Sequence, residues 1–398
     1  MLRRNLLYLL HFLSRQPRVM DSYEVSRKMR LPDGRRVSDR SVREWFKELQ
    51  KGCFDYYPAI RFESLGLVPT VVLLDEPRDV RLWRGIPYCD FLSYNFDPAR
   101  WKEVMLLRYL VPAEHLKDFR QLWERFHRKG LVSGCDVLSL STPVSIYSPH
   151  HKVVARDGRL DFSSVNASDY DYFFGLLESR VWSHAPARIH PEIRKNPFIV
   201  PVLFEYVREH WSSRQVWQSI KAKLGDAVWD YIRRTRKRTD GVGISRVQKA
   251  VRTIATKHYD DFFQQVRVEY DPFYFGQNFL TFLIADFEDR ESLVRFAKHL
   301  AQRSLVTYVH LNHNPRSNKT MFHFLTNHLE LRKLLSGAVR QHAKSSRSNR
   351  ILWKDEEKTK LVWRRELVKI DYARLFDPKE CRWKGGFKEC LKKASRST

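Results

Sequence analysis

Five basic side chains crowd into six positions: Arg233, Arg234, Arg236, Lys237 and Arg238. At that density guanidinium and ammonium groups neutralise phosphates and release counterions, so the chemistry they suggest is attachment to a polyanion. A second set, Arg40, Arg43 and Lys47, is spaced to share one helical face. A third, Arg246, Gln248, Lys249 and Arg252, has similar spacing. Arg347 and Arg350 close a Ser-rich basic stretch that also holds Arg340 and Lys344. All of these are expected to contact nucleic acid. Lys384, Lys388, Lys392, Lys393 and Arg396 add a basic tail, and Trp353, Trp363 and Trp383 fall among these C-terminal charges. They suit stacking on unpaired bases or anchoring of the tail on the core.

Catalytic and metal chemistry find less support. No Gly-x-x-x-x-Gly-Lys or Gly-x-Gly-x-x-Gly loop occurs. His310/His313 have metal-like spacing, but i and i+3 on a strand point to opposite faces. His323/His328 lack a third ligand, and His150–His151 is a loop pair. These histidines are expected on the surface or at caps. Asp260–Asp261 and Asp286/Asp289 are read as ordinary loop acids. The five cysteines are scattered, with no Cys-x-x-Cys pair, so no zinc ribbon or disulfide framework is expected. The expectation is a chain without catalytic residues, metal or cofactor, and not an enzyme.

The whole-chain charge agrees with a polyanionic partner. Lys+Arg number 72 against 46 Asp+Glu over 398 residues, a net +26. Residues 277–398 alone carry +13, so the basic surface extends well beyond any one small domain. The hydrophobic fraction of 43% is enough for folded cores. The N-terminal MLRRNLLYLLHFLS resembles a short signal peptide but is broken by His11 and lacks a cleavage site. No apolar run is long enough to span a bilayer. A cytoplasmic protein with no membrane partner is expected.

The elements follow from periodicity. Leu6, Leu9, Leu10 and Leu13 mark a first helix. Asp21 with Glu24 starts a second by a capping box. Ser38 opens a third, with Val42, Trp45, Phe46 and Leu49 inward. Such a unit lays its third helix in the major groove. After Gly66 the pattern becomes β-α-β-β-α-β, with Thr70–Leu74, Tyr88–Phe96, Val104–Leu110 and Asp136–Val144 as strands and Glu114–Lys129 as a helix.

Ser41 to Pro77 resembles the Lrp/AsnC family of winged-helix regulators, through Val42, Phe46, Leu49, Gly52, Phe54, Tyr57, Ile60, Leu65, Gly66 and Leu67. The loop Arg30 to Val37 is longer than that family's tight turn. The resemblance implies a DNA-binding domain joined to a ferredoxin-like domain that dimerises and often binds a small effector.

The second half reads as a diverged copy. Val247, Val251 and Ile254 repeat Val42, Phe46 and Leu49, and Gly276 repeats Gly66. Its strands are expected at Phe279–Ala285, Thr307–Asn312 and Thr320–Leu325, a helix at Arg290–Gln302, and a last strand near Ile351–Trp353. The expected α+β architecture is a tandem of winged helix-turn-helix and ferredoxin-like units. The units are 1–66, 67–150, a connector 151–196, 197–276, 277–353 and a basic tail 354–398. The expected function is a homodimeric DNA-binding transcription regulator. The alternative is a factor that binds ribosomal RNA or a ribosomal subunit, which the spread of charge favours.

Overall fold

The computed structural model describes residues 4–51, 55–75, 83, 85–154, 160–183, 186–208, 213–225, 244–269, 279–326, 349–354, 371–387 and 389–390. Helices α1 (Arg4–Ser14), α2 (Ser22–Lys28) and α3 (Asp39–Lys51) are followed by strand β1 (Asp55–Ile60). Asp21 and Glu24 close the expected capping box at α2. Leu6, Leu9, Leu10 and Leu13 are buried, as is Val42 of α3.

The first ferredoxin-like unit comprises β2 (Leu67–Asp75), β3 (Cys89–Asp97), β4 (Lys102–Pro112), helix α4 (Leu116–Arg128) and β5 (Gly134–Ser139). Val72, Leu74, Met105 and Leu107 share a core with Phe119, Leu122, Trp123 and Phe126 of α4. The alternate residues Val71, Leu73 and Leu106 belong to a second core on the other face. Strand β6 (Val144–Tyr147) and helix α5 (Asp171–Trp182) follow. The stretch expected as a connector thus carries a packed helix, with Phe173, Phe174, Leu177 and Val181 buried.

The second half repeats the order. Helices α6 (Ile199–Arg208), α7 (Ser213–Leu224) and α8 (Ile244–Arg252) lead into β7 (Phe263–Glu269). Then come β8 (Phe279–Asp286), α9 (Arg290–Ala301), β9 (Val306–His310), β10 (Lys319–Thr326) and β11 (Arg350–Lys354). Nine strands form one antiparallel-paired sheet in the order β5-β2-β4-β3-β11-β8-β10-β9-β6. Each half contributes four strands whose sequence ranks run 4-1-3-2, so the duplication is visible in the topology. The fold is α+β, a tandem of helical and ferredoxin-like units.

Strand pairing and helix packing join the halves at several places among the described residues. β3 pairs with β11, through Phe96 opposite Trp353. β1 pairs with β7, through Tyr57 opposite Arg267. Helix α1 packs on β7 and α6 on β1, so each half covers the other's strand. The sheet's edge strands β5 and β6 are consecutive in the chain, and Leu140 bridges Asn312 beside β9. The edges therefore converge, and the sheet is rolled around its inner core.

Arg350 corrects an expectation. It was assigned to nucleic acid at the end of a Ser-rich basic stretch, but it lies in β11 with its side chain 2% exposed. Its guanidinium binds Asp75 at 2.7 Å and Asp97 at 3.1 Å, with Asp136 at 3.8 Å. The charge neutralises carboxylates at the joint between the two ferredoxin-like units.

Candidate functional site

The residues expected to contact nucleic acid are placed as follows. Arg40 is exposed on α3 but pairs with Glu44 at 3.3 Å, and Arg43 is paired with Asp39. Lys47 is exposed on the same helix. Gln248, Lys249 and Arg252 are exposed on α8, which also carries Arg246. Arg233, Arg234, Arg236, Lys237, Arg238 and Arg347 lie outside the described residues.

The histidine expectation is also corrected. His11, His150, His310 and His323 are buried, not displayed. His150 and His151 meet His11 beneath α1, where the His151 ring stacks on Tyr8 at 3.9 Å. Burial, with neighbouring positive charge, lowers His11 to a pKa of about 2, His150 to about 3 and His151 to about 4.

Two cavities frame the choice of site. The larger is lined by Glu63, Arg180, Arg290 and His313 among others. Its charges already serve the fold. Glu63 accepts from Thr142 N and Oγ1 at 2.7 Å each and pairs with Arg180 at 3.3 Å. Arg290 donates to the Pro315 carbonyl and lies over Trp182.

The second cavity opens where the halves meet. β1 gives Tyr57, β4 gives Arg108, β7 gives Arg267 and β9 gives His310, with Phe62, Pro69 and Val207 as apolar wall. The Arg108 charge is balanced: its Nε and Nη2 lie 2.9–3.2 Å from the Asp90 carboxylate. Arg267 is only 7% exposed and sits over the Tyr308 ring at 5.6 Å. Tyr308 stacks on His323, and His323 on Phe282, across three paired strands.

His310 completes the cavity. Its Nδ1 is buried without a hydrogen-bond partner. Burial, then the positive fields of His323, Arg108 and Arg267, push its pKa well below the ordinary value. The ring is therefore neutral at neutral pH. A guanidinium and a neutral imidazole in an enclosed, partly apolar cavity fit an anion that can accept from one and exchange a proton with the other.

Sequence reasoning passed over these residues. It weighed His310 against His313, whereas β9–β10 pairing places Tyr308 and His310 on the same face as His323. The available signal was a single Arg within the apolar run of β4 and a His ending the alternation of β9. Inward charges in strands mark sites more often than solvated faces do.

No protein-family profile and no curated sequence matches the chain. Solved structures do. One, the siroheme decarboxylase NirDL, is 11% identical over 98% of this chain and 99% of its own, with a TM-score of 0.47. The same enzyme in co-complex with an iron-uroporphyrin III analogue covers 98% and 100% at 11% identity, with a TM-score of 0.45. Similarity at this level concerns the chain path alone. The expectation of a non-enzymatic DNA- or RNA-binding regulator finds no counterpart there: both neighbours are structures of an enzyme. Among the described residues no helix is long and apolar enough to cross a membrane.

Proposed function

We propose that the chain is an enzyme that binds a carboxylate-bearing small molecule in the cavity between β1, β4, β7 and β9. Arg267 anchors the carboxylate and His310 handles the proton. The carrying observation is His310, whose buried Nδ1 has no hydrogen-bond partner and shares the cavity with the Arg267 guanidinium. The chain's net charge of +26 would speed the approach of an anionic substrate. The decarboxylase neighbours lend the proposal a probe, iron-uroporphyrin III, but no weight.

The test is a binding titration with iron-uroporphyrin III and with a panel of simple mono- and dicarboxylates. Wild type is compared with Arg267→Met, which keeps the apolar stem and deletes the charge. Loss of a charge-assisted pair of hydrogen bonds costs ~2 kcal/mol, so affinity for the best carboxylate should fall about 30-fold. Equal affinity in the two proteins would move the ligand off this cavity.

A further inference from the structure

His190, from the segment before the second helical unit, meets His258 and Asp261, which lie just before β7. Each offers one ligand atom, and these atoms all lie within 4.8 Å of one another. The backbone fixes the meeting. Residues 188–190 run beside 63–65, with Arg188 N donating to Glu63 O at 2.9 Å and His190 N to Ser64 O at 2.8 Å. Leu65 and Ile189 form a β-bridge, and a Cβ on Gly66 (φ +70°) would stand 3.0 Å from Ile189 Cγ1. Only glycine permits that approach without strain. The same turn holds the other ligands: Ser64 Oγ donates to the Asp261 carbonyl, and Arg61 N donates to Phe262 O at 2.8 Å.

We propose that His190, His258 and Asp261 form a binding site for a divalent transition-metal ion of the zinc class. Two imidazoles and one carboxylate are the donor types that zinc accepts, and the absence of thiolate and thioether disfavours cuprous copper. The Asp261 Oδ2 is 3.5 Å from His190 Nε2 and 2.8 Å from His258 Nδ1. Donors about 2.1 Å from a tetrahedral zinc stand roughly 3.4 Å apart. The first separation already matches, and the second must open by about 0.6 Å on the same scale. Phe262 packs edge-on against His190 at 4.9 Å and shields one side of the site. The three side chains are half-buried, which leaves room for water as a further ligand.

The protons balance simply. His190 Nδ1 accepts a long 3.3 Å bond from Glu192 N, so the neutral ring carries its proton on Nε2. Metal binding at Nε2 moves that proton to Nδ1, and the long bond gives way. The His258–Asp261 hydrogen bond is likewise replaced by two bonds to the ion.

The experiment uses the full chain, stripped with chelator and titrated with Co(II) as an optical probe. One equivalent should give visible d–d absorption that Zn(II) then removes, and Zn(II) should raise the melting temperature. His258→Gln and Asp261→Asn should each weaken Co(II) binding by roughly 100-fold. His313→Gln should leave it unchanged. Circular dichroism checks that each variant is folded, and His190→Gln provides a second ligand variant if His258→Gln is not. Absence of d–d absorption from the wild type overturns the proposal. So does absorption that persists at the same affinity in folded His190→Gln and Asp261→Asn.

Discussion

Replacing Arg350 by methionine is expected to destabilise the chain by about 3–5 kcal/mol. The side chain is 2% exposed, and it joins β11 of the second half to Asp97 at the end of β3 and Asp75 at the end of β2. Asp97 is itself 1% exposed, so deleting the cation strands a carboxylate that water reaches poorly. Methionine fills the space and supplies no charge. Urea unfolding at pH 7.5 reads the loss directly. An Arg350→Met variant within 1 kcal/mol of wild type would show that β3–β11 pairing stands without this network. Asp97→Asn in the Arg350→Met background should recover part of the loss, because it removes the stranded charge.

Acid should cost nearly as much. His11, His150 and His151 have folded pKa values of about 2, 3 and 4, against an ordinary 6.5. The unfolded chain therefore binds more protons between those limits, and stability rises with pH there. The contribution is whole above pH 6.5 and is lost as pH falls. At pH 5 each buried ring costs about 2 kcal/mol, and the half-buried His151 less, for a total of about 4–6 kcal/mol. Urea midpoints at pH 7.5 and pH 5 measure it. His11→Phe should remove about a third of the dependence, since it deletes one of three coupled rings. A stability unchanged between the two pH values would mean that the cluster opens to water.

Much of the fold was legible in the sequence, because alternation and helical period are enforced by burial. Thr320–Leu325 reads as a strand since Met321, Phe322, Phe324 and Leu325 are all core residues. Even the last strand, expected near Ile351–Trp353, forms as β11. The site was less legible for a physical reason. Arg108, Arg267 and His310 lie far apart in the chain, and only β1–β7 pairing and the rolled sheet bring them to one cavity. Arg350 misled for a related reason. A basic residue in a Ser-rich run looks solvated until its carboxylate partners Asp97 and Asp75, 253 and 275 residues away, are known. The net charge of +26 indicated an anionic partner but not its size.

The central claim is that His310 takes part in binding an anion. A carboxylate beside the ring raises its pKa from the low value of the free site, so binding must take up a proton, and affinity must strengthen as pH falls. Isothermal titration calorimetry in buffers of different ionisation enthalpy, from pH 8 down to about pH 6 where a raised imidazole titrates, measures that uptake. The account predicts uptake approaching one proton for the wild type at the acidic end, and none for His310→Phe. Binding that takes up no proton at any pH, with His310→Phe matching the wild type, would contradict it.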